Sequence, residues 1–145
     1  MYHLIGEIKC LNNYILRKLS ADEVLNAQQN LSGAKGYIIG FIVKQIEKGE
    51  VVYQKDIEKA FSLRRSSATQ ILNSLEQNGL ISRLSEENDK RLKRIIVTQK
   101  GLNCHKTIVG RLEDIDKELI AKLSTEELET FKNIVKKLKE GLQVD

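Results

Sequence analysis

Ser66, Gln70, Asn73 and Gln77 recur at the three- and four-residue steps of one helical face, with Thr69 at its flank. Hydroxyls and carboxamides donate and accept hydrogen bonds without carrying charge. A surface of such short polar groups, free of acids, can approach phosphates and the edges of bases. Gln70 and Asn73 have the two-point geometry that pairs with the N6 and N7 of adenine, and Arg65 suits guanine or phosphate. A second group follows on the chain, the turn Asn88-Asp89-Lys90-Arg91 with Lys93 and Arg94 just beyond it. An arginine at a turn tip suits a narrow minor groove, whose enhanced negative potential attracts it. Asp89 stands two residues earlier, within reach of an ion pair with Arg91. As a bare surface ion pair the two contribute at most ~1 kcal/mol. Lys93 suits a phosphate contact.

The elements that must carry these groups are legible around them. Ala68, Ile71, Leu72 and Leu75 mark the buried face of a helix that starts near Arg65, opposite the polar face. Gly79 provides its left-handed stop. Leu80–Leu84 and Arg94–Val97 read as strands, and residues 85–93 form a polar loop between them. Thr98 caps a long helix to about Leu123. A helix flowing into a basic hairpin is the plan of a winged helix-turn-helix, in which the helix enters one groove of DNA and the hairpin reaches the groove beside it.

Upstream, Leu4, Ile5, Ile8, Leu11, Ile15 and Leu19 predict one helix from about Tyr2 to Gln29. Ser32 is expected to cap a second, running to about Lys48 with Tyr37, Ile38, Phe41, Ile42 and Ile46 on its apolar side, and Gly49 ends it. A short helix from about Gln54 to Ala60 presents Ile57 and Phe61. Downstream, Ser124-Thr125-Glu126-Glu127 is a capping box that opens a last helix carrying Leu128, Phe131, Ile134, Val135 and Leu138. The expected fold is mainly α with a small β wing. Residues 32–100 form the winged-helix DNA-binding unit of a single domain spanning 1–145, and the amphipathic helices of 1–29 and 101–145 either serve dimerisation or pack on each other within one chain.

Composition narrows the classes further. The 145 residues are one domain's worth of sequence with an ordinary apolar-to-charged balance. No apolar run approaches the roughly 20 residues of a membrane span, and the first residues lack the pattern of a signal peptide, so a cytoplasmic protein is expected. The net charge of +4 does not by itself point to nucleic acid. Its distribution is more telling: residues 54–100 hold ten Lys and Arg against six Asp and Glu, whereas residues 111–145 hold seven against nine, so the basic excess lies on the reading unit. Cys10 and Cys104 lie far apart and His3 and His105 stand alone, which predicts neither a metal site nor any cofactor.

At these residues the chain resembles the MarR family of bacterial transcriptional regulators. The resemblance is carried by IEKAFSLRRSSATQILNSLEQNGLI (57–81), by the wing DKRLKRIIVTQKG (89–101), and by NLSGAKGYIIGFI from Asn30. Three positions depart from the family pattern: Arg64 where a Ser or Thr cap is frequent, Ser62 where a turn glycine is common, and Ser85 where a proline often stands. The resemblance implies that Arg65, Ser66, Ser67, Thr69 and Gln70 lie near the start of the helix that enters the major groove. It implies that Arg91 reaches the minor groove with Asp89 supporting it. It further implies a homodimer on a pseudo-palindromic operator of double-stranded DNA, acting as a repressor that responds to a small-molecule effector. Tyr14, Arg17 and Tyr37 lie in the region where family members take such ligands, but no ligand-binding residue is assigned.

Three other readings compete. A winged helix used as a protein-interaction adaptor would present its polar face to a protein, and the retained Arg91, Lys93 and Arg94 argue against it. A thiol-based redox regulator would use Cys10, which has Tyr14 one turn later; it also has Lys9 beside it and lacks the sequence pattern around a family redox cysteine. An enzyme is not expected, since no paired carboxylates, glycine-rich phosphate loop, metal-ligand spacing or nucleophile motif is present.

Overall fold

A computed structural model of the chain describes residues 3–28, 31 and 33–142. Its order is α1 (Leu4–Ser20), α2 (Glu23–Ala27), α3 (Ala34–Glu47), β1 (Val52–Tyr53), α4 (Gln54–Ala60), α5 (Arg65–Gln77), β2 (Ile81–Ser85), β3 (Lys93–Val97), α6 (Gln99–Ile120) and α7 (Thr125–Leu142). The backbone divides into two compact units, one up to Ile108 and one from Val109 onward.

The first unit contains the reading elements. Its core is wholly aliphatic: Ile38, Ile39 and Ile42 of α3, Ile57 of α4, Leu72 and Leu75 of α5, and Leu80, Ile81 and Ile95 at the sheet. Fully burying one such side chain stabilises the fold by about 1.5–3 kcal/mol. β1, β3 and β2 form an antiparallel sheet in that order, Val52 opposite Ile95 and Ile81 opposite Val97. The two-residue β1 is not expected from the sequence; Val52 and Tyr53 are too short a run to carry a period, and pairing with Ile95 and Arg94 makes them a strand.

The single helix expected from Tyr2 to Gln29 is instead two. The chain breaks at Ala21-Asp22, where Asp22 turns extended (φ −78°, ψ 120°) and its carboxylate accepts the Leu25 N–H at 3.0 Å. Asn26 Nδ2 closes the break by donating to Ser20 O at 2.7 Å. An aspartate satisfies the free amides of a new helix start better than it fits a helix interior, and that local preference outweighs the continuing apolar period. Tyr2 and Gln29, the expected ends, lie outside the described residues.

The cap expected of Ser32 also lies outside them; α3 begins after Gly33, at φ +61°. The apolar side of α3 is rotated from the expected one. Ile39 is fully buried, whereas Tyr37 is 76% exposed and Ile46 is exposed. The adjacent pair Ile38-Ile39 fits either of two stripes, and packing on the sheet selects Ile38, Ile39 and Ile42.

Other local signals hold. Gly79 adopts φ +69° and ends α5. Thr98 Oγ1 accepts the Gly101 N–H at 3.1 Å, starting α6, and donates to Gly79 O at 2.6 Å. In the second unit the capping box is complete: Ser124 N–H reaches Glu127 Oε2 at 2.7 Å, and Glu127 N–H reaches Ser124 Oγ at 3.1 Å. No helix among the described residues is long and apolar enough to cross a membrane.

Candidate nucleic-acid interface

α4 and α5 form the two arms of a helix-turn-helix. Asp56 anchors the start of α4 by accepting the Tyr53 N–H at 2.8 Å. The turn between the arms passes through Ser62, at φ +50° the one non-glycine with positive φ among the described residues. This is where the family commonly has a glycine, because a left-handed residue without a Cβ costs less.

α5 then starts from Arg64, whose extended backbone caps the helix without any side-chain hydrogen bond. The first-turn amides of α5 therefore keep unused donor capacity at the positive end of the helix. Ala68, Leu72 and Leu75 are fully buried and Ile71 packs beside them, which turns Ser66 and Gln70 outward. Arg65 is also exposed; Ser67, Thr69 and Asn73 are half-buried.

The expected site residues fall into distinct groups. Arg65, Thr69, Arg91 and Lys93 line one open groove of about 390 Å³ between the start of α5 and the wing. Lys55 and Arg83 line it too, so five cations meet there with Glu58 as the one acid. Ser66 and Gln70 do not line the groove and make no side-chain hydrogen bond among the described residues, leaving both free to meet a partner. Asn73 stands apart. Its Oδ1 accepts from Arg83 Nη2 at 2.6 Å, so this carboxamide is not the unengaged reader that the helical face alone suggests. The Thr69 hydroxyl is engaged as well, donating to Arg65 O at 2.8 Å and accepting from Gln54 Nε2 at 2.9 Å.

At the wing tip, Asp89 accepts the Arg91 N–H at 3.0 Å and its carboxylate lies 3.5 Å from Arg91 Nε. The Arg91 side chain is 95% exposed. Such a pair adds little stability in water; its effect is to shape the turn and aim the guanidinium.

Several residues outside the expected set hold this surface together. Arg83 of β2 grips Glu76 of α5, with Nε to Oε2 at 3.0 Å and its backbone N–H to Oε1 at 3.2 Å. The Arg83 hydrogen bond is the main reason the Glu76 carboxyl sits below its ordinary value, while partial burial opposes the shift. On the other side of the sheet, the Tyr53 hydroxyl donates to Glu86 Oε1 at 3.1 Å, and Arg94 Nε lies 3.7 Å from the same oxygen. Burial first, then the Glu86 carboxylate, pushes the Tyr53 phenol above its ordinary value, so it remains a donor. Lys100 Nζ donates to Asn78 O at 2.9 Å and satisfies the end of α5. None of these contacts has a sequence signature, because each joins residues that only the fold brings together.

Among the described residues no cluster of three or more His, Cys, Asp or Glu could hold a metal. Cys10 is exposed on α1 and Cys104 is half-buried against the core.

A cationic cleft between a helix-turn-helix and a β-hairpin defines the winged helix-turn-helix class. The sequence profile of the MarR family matches residues 41–93. The uncharacterized HTH-type transcriptional regulator YwhA of Bacillus subtilis (strain 168) is 32% identical over 99 residues, which cover 68% of this chain and 71% of that protein. The chain belongs to the MarR family and is a transcriptional regulator. Its fold is shared with the crystal structure of a S. aureus MepR–DNA complex, at 24% identity and a TM-score of 0.75 over 99% of this chain and 100% of that one. It is shared also with YusO from Bacillus subtilis, at 19% identity and a TM-score of 0.72 over 94% and 95%.

Proposed function

We propose that the chain is a cytoplasmic, sequence-specific binder of double-stranded DNA that acts as a homodimer on a pseudo-palindromic operator, as a repressor released by a small-molecule effector. The observation that carries the DNA reading is the cationic groove. Lys55, Arg65, Arg91 and Lys93 converge between the two elements that would straddle a phosphate backbone, with Arg83 beside them already paired to Glu76. In this reading residues 32–100 are the DNA-binding unit of a single MarR-like domain. Gln70 and Ser66 face base edges from α5, Arg65 and the first-turn positions Ser66 and Ser67 meet the edge of the major groove, and Thr69 borders the backbone. Arg91, oriented by Asp89, enters the minor groove, and Lys93 meets a phosphate. The crystal structure of MepR with DNA supports this use of the shared fold.

The dimer rests on a separate observation. No residue of α1 or α7 is buried, although both helices are amphipathic. Ile5 and Leu11 of α1 and Phe131 and Ile134 of α7 are each at least half exposed. Covering apolar surface with a second copy stabilises by roughly 25 cal/mol per Å² removed from water, and a two-fold dimer matches two half-sites about one helical turn apart, roughly 10 to 10.5 base pairs. Sedimentation with and without duplexes selected from random DNA tests both parts. The expected result is a dimer alone and one dimer per duplex. A monomer at micromolar concentration in both conditions refutes the dimer, and failure to enrich any duplex refutes the DNA reading.

A further inference from the structure

The carboxamide of Asn73 is not free to turn. Arg83 Nη2 lies 2.6 Å from its Oδ1. A guanidinium donates and cannot accept, so an Asn73 amide flipped end for end would set its NH2 against a cation. Arg83 is itself held by Glu76, whose Oε2 accepts from both Nε and Nη2 of the side chain and whose Oε1 accepts the backbone N–H. Glu76 lies three residues beyond Asn73 and so stands on the same side of α5. The Arg83 side chain is only 22% exposed, which keeps this clamp partly out of water. A residue of the wing therefore fixes the direction in which a recognition-helix amide oxygen points.

We propose that Arg83 is a positioning residue that sets base specificity: by drawing Asn73 Oδ1 toward β2 it occupies one of that oxygen's two lone pairs and turns the Nδ2 N–H groups to the base edge. Asn73 then reads an acceptor, such as guanine N7 and O6 or thymine O4, in place of two-point pairing with adenine. Pairing with adenine needs the amide oxygen to accept from N6 while the nitrogen donates to N7, and here the oxygen is turned toward β2. The inference rests on the DNA reading above and goes beyond it by naming what one position of the operator presents. A lysine at position 83 would keep the charge but lose the planar fork that holds Glu76 and Asn73 together.

The test is selection from a randomised duplex library by the full chain, its Asn73→Ala, Arg83→Lys and Glu76→Gln variants, and the Asn73→Ala/Arg83→Lys pair. The parent should show an acceptor-rich base preference that Asn73→Ala loses, on the order of tenfold. Arg83→Lys should relax the same position or move it toward adenine. Glu76→Gln, which loosens the clamp from its other end, should shift that position in the same direction. The paired variant should match Asn73→Ala there, because Arg83 acts through the amide. The proposal is overturned if both Arg83→Lys and Glu76→Gln enrich the parental sequence with affinity lowered evenly for all duplexes, the mark of a phosphate contact. It is overturned equally if the base lost in Asn73→Ala is adenine. A parent that enriches no sequence refutes the DNA reading itself, and the inference falls with it.

Discussion

Gly101→Ala should cripple the winged helix even though alanine is the better helix former. Gly101 sits in the first turn of α6, and a Cβ there would lie 2.1 Å from Leu80 O and 2.8 Å from Val97 Cγ1. The near neighbour is backbone at the entrance to β2, so no rotamer change relieves it. The start of α6 must retreat by roughly 1 Å in a tightly packed interior. That movement strains the Thr98 Oγ1 bonds to Gly79 O and Gly101 N–H, and the Thr98 N–H bond to Leu80 O at 3.1 Å. Overpacking alone costs about 1–3 kcal/mol, and each weakened hydrogen bond adds up to about 1 kcal/mol. A total near 3–5 kcal/mol is a large share of the ~5–15 kcal/mol that holds a typical domain. Thermal unfolding followed by circular dichroism should fall by about 10 to 15 °C. Gly110→Ala in the same helix is the control, since nothing lies within 4 Å of its Cβ position. It should stabilise by about 0.5–1 kcal/mol through helix propensity. Melting of Gly101→Ala within 1 kcal/mol of the parent would show that the close approach to Leu80 is not a constraint.

Three further outcomes are expected. Arg91→Ala should weaken DNA binding at matched salt while changing stability by no more than ~0.5 kcal/mol, with Asp89→Ala weakening it less; parental affinity in a gel shift of Arg91→Ala would remove the minor-groove role. Gln70→Ala should lower discrimination between selected and random duplexes by about 1–3 kcal/mol, whereas Lys93→Ala should weaken both alike and flatten the salt dependence; equal specificity ratios for Gln70→Ala and parent would dismiss it as a base reader. The depressed Glu76 carboxyl contributes stability that is present above its unfolded value near 4.5 and is lost as pH falls through the lower folded value. The stability gap between Glu76→Gln and parent, at most ~1 kcal/mol for a pair this exposed, should therefore close on acidification, and a gap independent of pH would mean that ionisation is not what Arg83 recognises.

The parts of this protein legible in its residues are those held by local chemistry. The bounds of α5 follow from the Ala68/Leu72/Leu75 face and the positive φ that Gly79 accepts. The Ser124–Glu127 box depends on residues three apart, and the Asp89–Arg91 turn on residues two apart. Asp22 carried a signal of the same local kind, which the longer apolar period of the first helix concealed. Tertiary structure decided what no spacing encodes. It made a strand of Val52-Tyr53 by setting them beside Ile95 and Arg94. It buried Ile39 and exposed Tyr37 on one helix. It also decided the state of the reading surface. Gln70 stays free because no described residue hydrogen-bonds its side chain, while Thr69 is met by Gln54 from fifteen residues away and Asn73 by Arg83 from ten. A helical period says which side chains point outward together, but a hydrogen bond from another element depends on where the chain returns, and that is set by packing of the whole core.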